Sequence, residues 1–251
     1  MTRPGVWRLV IVAAAVLVLE ALCRGGVIDP YTMIPPSQMA LALVDMVRHA
    51  DWFWADARYT FQNVAAAILL STLLGFPIGL GIHALPRLRR VLNPVLMSYY
   101  SVPTFIFYPL LIVIFGIGPA SLIVMGAMFG IVAMICATLT AIDRIPRVYN
   151  KVARVAGLGA WETALRIQLP AATPHLFTGL KLAVAYSVIG VIAGEFILAT
   201  AGLGRQLTLA YNEFDSPKMY GLILLILIVV ALLNGLLQAW EARLYRRWYR
   251  S

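Results

Sequence analysis

The sequence predicts an all-α polytopic membrane protein with six transmembrane helices in a single domain, residues 1–251. Hydrophobic residues make up 61% of the 251-residue chain, and its mean hydropathy is +0.85. Charged residues make up 12%, about half of the ~25% found in an ordinary soluble domain. Residues 91–142 contain no charge at all, and this stretch is too long for one crossing of ~20 residues. These observations exclude a soluble core and predict several membrane spans.

Long apolar runs with few or no charges define the expected spans, because ~20 apolar residues in a helix cross the hydrocarbon layer. The turn sequence Gly116-Ile117-Gly118-Pro119 divides the long uncharged stretch into two spans. The six spans are expected at residues 6–23, 61–82, 91–115, 120–142, 176–199 and 219–240. Residues 24–60 are expected outside the membrane, on the periplasmic side, as an amphipathic segment at the interface. Its apolar face and aromatic anchors are expected to be Met39, Leu43, Met46, Val47, Trp52, Phe53 and Trp54.

Arginine and lysine orient these spans, because cytoplasmic connections carry an excess of both. With a cytoplasmic N-terminus, the inner segments carry Arg3, Arg8, Arg87, Arg89, Arg90, Arg144, Arg147, Lys151, Arg154, Arg166, Arg243, Arg246, Arg247 and Arg250. The outer segments carry Arg24, Arg48, Arg58, Arg205 and Lys218. Both termini and the connection at residues 143–175 are therefore predicted in the cytoplasm. The net charge of +9 reflects this topology rather than a nucleic-acid-binding face.

The connection at residues 143–175 contains a basic, amphipathic stretch from Lys151 to Pro170. Two short helices are predicted here, broken at Gly157-Leu158-Gly159, since glycine is costly in a helix and permissive in a turn. Pro170 is expected to stop the second helix, because proline lacks an amide donor. Apolar residues recur at helical spacing in both helices, as Val148, Val152 and Val155 and as Leu158, Trp161 and Leu165. The pattern predicts a surface that docks on a partner outside the membrane.

This stretch resembles the EAA loop of ABC-importer permeases. The resemblance rests on Gly157 followed thirteen residues later by Pro170, on Ala153-Arg154, and on the ending Ile167-Gln168-Leu169-Pro170-Ala171-Ala172. The Glu-Ala-Ala of that family is here Lys151-Val152-Ala153. Three further stretches resemble the nitrate/sulfonate/taurine branch: Ile34-Pro35-Pro36-Ser37, Ser101-Val102-Pro103 and Phe115-Gly116-Ile117-Gly118.

The resemblance implies a type I importer permease whose coupling helix docks on a cytoplasmic ATPase subunit. The docking residues that it implies are Ala153, Arg154, Gly157, Gly159, Ala160, Trp161, Leu165 and Pro170. It also implies a homodimer in the bacterial inner membrane, two ATPase subunits that hold ATP and Mg²⁺, and a periplasmic or lipid-anchored substrate-binding protein. The expected solute is small and polar, such as a sulfonate, nitrate, taurine or a related anion, moved inward by alternating access. Members of this family also carry heterocyclic vitamin precursors, so that alternative stays open. This chain is expected to hold no cofactor, metal or catalytic residue.

Polar groups within the spans are candidates for the translocation pathway. Pro103 and Pro109 are expected to interrupt the third span, and irregular backbone at membrane depth is tolerated where it lines protein or water. The candidate pathway residues are Ser98, Ser101, Thr104 and Glu195. The hydroxyls either face a polar solute or bond their own backbone. Glu195 lies in a long apolar run, where a charge is costly, and belongs to a pathway or an ion pair, or else is interfacial.

Glycines four residues apart predict close helix packing within one subunit, at Gly75/Gly79, Gly126/Gly130 and Gly190/Gly194. Gly202-Leu203-Gly204 is interpreted as a turn. The sequence contains neither a Walker A pattern nor a zinc-protease or serine-hydrolase motif, so an enzyme is not predicted. An ion-coupled secondary transporter that uses Glu195 stays open as an alternative, because an intramembrane acid also suits ion coupling.

Overall fold

The computed structural model describes residues 3–99, 102–163, 166–167 and 169–248, and every element assigned in these ranges is a helix. The first half contains α1 (Arg3–Arg24), α2 (Pro36–His49), α3 (Phe53–Ala84), α4 (Pro86–Tyr99), a 3-10 helix (Thr104–Phe107), α5 (Tyr108–Phe115) and α6 (Pro119–Asp143). The second half contains α7 (Arg147–Val155), α8 (Ala160–Thr163), α9 (Leu169–Leu198), α10 (Leu203–Asn212) and α11 (Ser216–Trp248). The predicted all-α fold class is confirmed.

Four helices are long and apolar enough to cross a membrane: α3, α6, residues His175–Ile197 of α9 and residues Ser216–Arg243 of α11. Helix α4 and the segment Thr104–Phe115 are together long and apolar enough to cross a membrane, and they meet at 92°. They form a fifth span if the two are one bent crossing. Pro103 precedes the 3-10 helix and Pro109 lies in the first turn of α5, so the third span is interrupted where expected. Within the described ranges, α1 is helical at the place of the expected first span.

Prolines explain where several helices begin. Pro36, Pro119 and Pro170 each lie in the first turn of a helix, namely α2, α6 and α9. An amide in the first turn has no acceptor within the helix, so proline loses nothing there, and its fixed φ suits the helical conformation. Pro170 was expected to stop the second helix of the cytoplasmic connection. That expectation is wrong, because Pro170 lies in the first turn of α9 (Leu169–Leu198) and the helix continues beyond it.

Helix α6 forms the centre of the bundle and lies between α3 and α9. In its most apolar stretch 61% of the residues are buried, against 11% in the corresponding stretch of α11. A Cβ atom added to Gly75 or Gly79 of α3 would come within 2.7 Å of the Cβ atoms of Met134 or Thr138 of α6. A Cβ atom on Gly190 of α9 would come within 2.8 Å of the backbone of α6. The glycine pairs therefore permit close packing inside one subunit, as the sequence predicts.

Helices α2 and α11 form a second layer against this core. Met46 of α2 is buried together with Phe53 and Leu222, and Leu43 and Val47 pack against them. The expected amphipathic helix is thus present, and its apolar face packs on α11. Phe53 is a core residue, 3% exposed, rather than an interfacial anchor, whereas Trp54 stays 66% exposed. Periodicity identifies an apolar face, and only the packing shows what covers it.

The bundle has two ends, named here after the short helix at each. The α7 end contains the last residues of α3 and α6 and the first residues of α9. Arg89 of α4 pairs there with Asp143 at the end of α6, and Ala172 of α9 packs against Ala141 of α6. The α10 end contains the first residues of α3 and the last residues of α9, because Asp56 of α3 binds the backbone of Gly202. Functional groups gather at both ends.

Candidate functional site

Helix α7 exposes an apolar stripe at its end of the bundle. Val148 is 58% exposed, Val152 55% and Val155 90%, as expected from their helical spacing. The opposite side of the helix is anchored, since Ala153 is 2% exposed. Ile145, just before α7, is buried against Ala141 of α6 and Ala172 of α9. The helix is thus held by the bundle while its apolar face has no cover within the described part of the chain.

The break after α7 has the hydrogen bonds of a Schellman motif. The amide of Gly157 donates to the carbonyl of Arg154 over 3.1 Å, and the amide of Leu158 donates to the carbonyl of Ala153 over 3.0 Å. Gly157 has φ +67°, in the left-handed region that glycine adopts without a steric cost. The sequence therefore predicts the position of the break correctly, and the tertiary structure adds its geometry.

The other residues of the predicted docking surface have varied positions. Arg154, Gly157 and Gly159 are exposed. Ala160 and Trp161 begin α8, but their side chains lie outside what the structure describes, as does all of Leu165. The docking surface as described is therefore the face of α7 with the turn at Gly157, and the contribution of Trp161 stays a prediction.

An ion pair that the sequence did not predict links α4 to α6 at the α7 end. Arg89 of α4 donates two hydrogen bonds to the carboxylate of Asp143, the last residue of α6, one of them 2.8 Å from Nη1 to Oδ1. His83 of α3 lies 3.8 Å from the same carboxylate. This parallel arrangement of guanidinium and carboxylate fixes orientation as well as distance. The pair joins α4 to α6 next to the start of α7, and His83 of α3 lies beside it.

Lys181 and Glu241 were also given no role from the sequence. Their side chains form an ion pair between α9 and α11 at 2.5 Å, and each is about four-fifths buried, with 21% and 17% of the side chain exposed. Thr178, one turn before Lys181, donates a hydrogen bond to the other oxygen of Glu241 at 3.0 Å. Both residues lie near the ends of apolar runs, where a charge is easily attributed to topology alone.

Glu195 is fully buried inside the chain at the α10 end, near the last residues of the candidate span His175–Ile197. Its Oε2 atom accepts a hydrogen bond from the Thr60 hydroxyl at 2.8 Å and another from the Gly204 amide at 3.0 Å. Thr60 belongs to α3 and Gly204 to α10, while Glu195 lies on α9. A single carboxyl group therefore connects three helices, while its buried Oε1 atom has no hydrogen-bond partner within the described residues. Its role in a pathway stays a prediction.

The same cluster caps the first amides of α10. The Gly202 amide donates to Asp56 Oδ1 at 2.9 Å, and the Leu203 amide donates to Thr60 Oγ1 at 2.8 Å. The first amides of a helix lack intrahelical acceptors, so side-chain oxygens from other elements stabilise it. Gly202 precedes the helix with φ +108°, and a Cβ there would collide with the Glu195 carboxyl group. The turn expected at residues 202–204 is thus the start of a ten-residue helix.

The remaining pathway candidates are not brought together with Glu195 by any hydrogen bond in the described ranges. Ser98 is exposed on α4, and Ser101 lies outside those ranges. Thr104 is buried and donates to the carbonyl of Val102 at 3.2 Å, which is the backbone bond weighed as its alternative role. The role of these residues in a pathway stays a prediction.

The chain is similar in sequence to a protein family and to several transport proteins. Residues 67–250 match the family described as binding-protein-dependent transport system inner membrane component. A riboflavin transport system permease protein of Chloroflexus aurantiacus is 33% identical over 162 residues, which are 62% of this chain and 60% of that relative. The chain thus spans less than two thirds of that protein. The taurine transport system permease protein of Escherichia coli is 27% identical over 223 residues, 86% of this chain and 80% of the relative.

The fold has solved counterparts. An inward-facing structure of the MetNI methionine ABC transporter contains a chain that superposes with a TM-score of 0.67. The superposition covers 74% of this chain and 93% of that chain, at 19% sequence identity. At this level of identity the similarity concerns the fold, and it confirms the predicted type I importer architecture.

Proposed function

From the premise that this chain belongs to the family of binding-protein-dependent transport system inner membrane components, we propose that it moves a small polar solute inward in an ATP-driven importer. The chain is a multi-pass membrane permease subunit and contains the transport path rather than the energy source. We further propose that ATP and Mg²⁺ bind to two separate ATPase subunits, and that this chain acts as a homodimer.

The uncovered face of α7 carries this proposal. Exposing an apolar stripe on a short helix outside the spans to water is unfavourable, and contact with a partner protein removes the stripe from water. Val152 and Val155 are more than half exposed, although the same helix is anchored through Ala153. A groove on the ATPase subunit is the proposed cover for this stripe, with Arg154 at its edge.

The contacts that attach α7 to the bundle suggest how ATP binding on the partner subunits would change the transport path. The bidentate contact between Arg89 and Asp143 links α4 to α6, and buried Ile145 links the start of α7 to α6 and α9. Closely packed helices transmit a displacement because their interfaces do not deform continuously. When the ATPase subunits close, α7 would move with them and tilt the central helices, which exposes the path to alternate sides.

The charge distribution bears on the direction of transport, and the relatives bear on the solute. An excess of arginine and lysine at the α7 end favours the cytoplasm for that end and for both termini, by the positive-inside rule. The two relatives named above are a riboflavin and a taurine transport system permease protein. We propose a small polar solute of the sulfonate, nitrate or taurine kind, delivered by a separate solute-binding protein at the α10 end.

The test is association with the ATPase subunit and solute uptake after Val155→Glu. A carboxylate in the centre of a docking surface cannot be desolvated without a partner charge, so we expect both to fall at least tenfold. The matched control is Val27→Glu, since Val27 is 74% exposed in the connection between α1 and α2. Trp161→Glu is expected to act like Val155→Glu. Association would be measured by co-purification of an ATPase that carries a Walker A sequence.

Two results would contradict the proposal. One is normal uptake by correctly inserted Val155→Glu protein. The other is uptake that persists when ATP is depleted but stops when the proton gradient is collapsed, which would support the secondary transporter that uses Glu195.

A further inference from the structure

Helix α10 ends with a residue that local sterics disfavour. The amide of Phe214 donates to the carbonyl of Tyr211 at 3.3 Å, and the amide of Asp215 donates to the carbonyl of Ala210 at 2.9 Å. These are the two hydrogen bonds of a Schellman motif, whose left-handed position is usually occupied by glycine. Here that position holds Phe214, with φ +56°, and Phe214 is the one residue other than glycine with a positive φ in the described ranges.

The surroundings of Phe214 do not compensate for this conformation. A residue with a Cβ atom loses roughly 1–2 kcal/mol in the left-handed region, and a bulky side chain there is a clear outlier. The side chain of Phe214 is 90% exposed, so burial within the chain does not offset the cost. Tyr211, one turn earlier, is 62% exposed. An aromatic side chain that is strained and unburied breaks a local rule, and such sites are typically functional.

The chemistry around this side chain indicates the kind of partner. Glu213 and Asp215 flank Phe214 directly, and no ion pair to Glu213 occurs in the described part of the chain. Aromatic anchors with a charged rim are typical of protein interfaces. Aromatic anchors in lipid are chiefly Trp and Tyr rather than Phe.

We propose that Phe214 is the anchor by which the α10 end binds a protein partner with an apolar pocket edged by lysine or arginine. The partner is the solute-binding protein, and this identification rests on the proposed function. The left-handed conformation holds the ring away from α10, and the basic edge of the partner's pocket would face Glu213 and Asp215 on either side of it. Because the ring is held out before binding, little conformational entropy is lost when the complex forms.

The first experiment identifies what touches Phe214. A photo-cross-linking amino acid in place of Phe214 is activated in intact cells, and the adduct is identified by mass. We expect a solute-binding protein. Adducts with lipid alone would overturn the proposal and assign Phe214 to the membrane interface.

The second experiment measures affinity and stability together. The binding protein that the cross-link identifies is purified separately, without a cross-link. It is then titrated against the importer complex in nanodiscs that contain wild-type or Phe214→Gly chains. Loss of an interface anchor weakens binding roughly 30-fold. Glycine also relieves the backbone strain, so the Tm of the variant should equal or exceed that of the wild type. Phe214→Asn should behave alike, because asparagine tolerates the left-handed region.

The control is Tyr31→Ala, which removes an aromatic side chain that is 94% exposed in the connection between α1 and α2. We expect its affinity for the binding protein to stay within about twofold of wild type. Unchanged affinity of Phe214→Gly, an equal loss in Tyr31→Ala, or a fall in the Tm of Phe214→Gly would each overturn the proposal. Failure of the proposed function is distinct, since the wild-type chain would then co-purify with no ATPase.

Discussion

The short helices α7 and α10 lie at opposite ends of the bundle and are completed in opposite ways. Both end in a Schellman motif, with Gly157 at the left-handed position after α7 and Phe214 after α10. The first amides of α10 are bound by side chains from α3 and α9, and Glu195 is fully buried among them. Helix α7 has an apolar face that is exposed along its length, with Val155 90% exposed.

This difference separates structural residues from docking residues. The contacts of α10 are internal and polar, so their loss should weaken the fold before it affects any partner. The exposed face of α7 contributes little to the isolated chain, so its loss should leave the fold intact and abolish association. Phe214, just after α10, is exposed like the apolar face of α7, and it lies at the end of the helix that is not capped by Glu195.

The largest expected effect on stability is that of Glu195→Ala. The substitution leaves the Gly204 amide and the Thr60 hydroxyl buried without their acceptor and creates a cavity. The free energy of unfolding should fall by about 3 kcal/mol. Thermal unfolding of detergent-solubilised protein, followed by size-exclusion chromatography, measures it. Glu195→Gln keeps an acceptor oxygen and is the matched control. Equal stability of Glu195→Ala and wild type would show that the cluster does not hold α10.

An intermediate effect is expected from Gly157→Pro at the α7 end. Proline cannot adopt φ +67° and cannot donate to Arg154, so the turn after α7 is lost. The local cost is about 2 kcal/mol, and because the turn is exposed the spans should still insert. Solute uptake should be abolished. Gly157→Asn, which tolerates the left-handed region, should retain most uptake. Uptake by Gly157→Pro at the wild-type rate would remove the coupling role of this turn.

The smallest effect is expected from Asp56→Ala at the α10 end. Asp56 accepts from the Gly202 amide and, at 2.6 Å, from Gln206 Nε2. It is only partly buried, so water replaces it in part, and the loss should be about 1 kcal/mol, typical of a helix cap. Thermal unfolding measures the change, with Asp56→Asn as the control that retains an acceptor. A loss as large as that of Glu195→Ala would mean that the two carboxylates act as one unit.

Much of the fold follows from hydropathy and local sterics. The predicted spans at residues 61–82, 120–142, 176–199 and 219–240 lie within α3, α6, α9 and α11, apart from one residue at the end of α9. The ends of the helices differ from the predictions, because α3 and α9 continue beyond the apolar stretch into polar segments. Pro170 shows the limit of a local rule, since proline both ends helices and begins them.

The candidate docking surface was predictable and the buried cluster was not. The spacing of Val148, Val152 and Val155 and the break at Gly157 are local features, so the sequence predicts the face of α7. The partners of Glu195 are different, because Thr60 lies 135 residues away in the sequence. Hydropathy identifies Glu195 as costly in a membrane but does not say which donors surround it. The same holds for Lys181 and Glu241, which are 60 residues apart.

The sequence by itself therefore determined the fold class, the positions of the long helices, the family and the amphipathic face of α7. These depend on interactions between residues within a few turns of one another, where the 3.6-residue period and the lack of charge are decisive. Only the tertiary structure decided that α10 is a helix, that Glu195 caps it, and that Phe214 occupies a position suited to glycine. Those features depend on which helices pack together, and close packing around α6 brings together donors and acceptors that are distant in the chain.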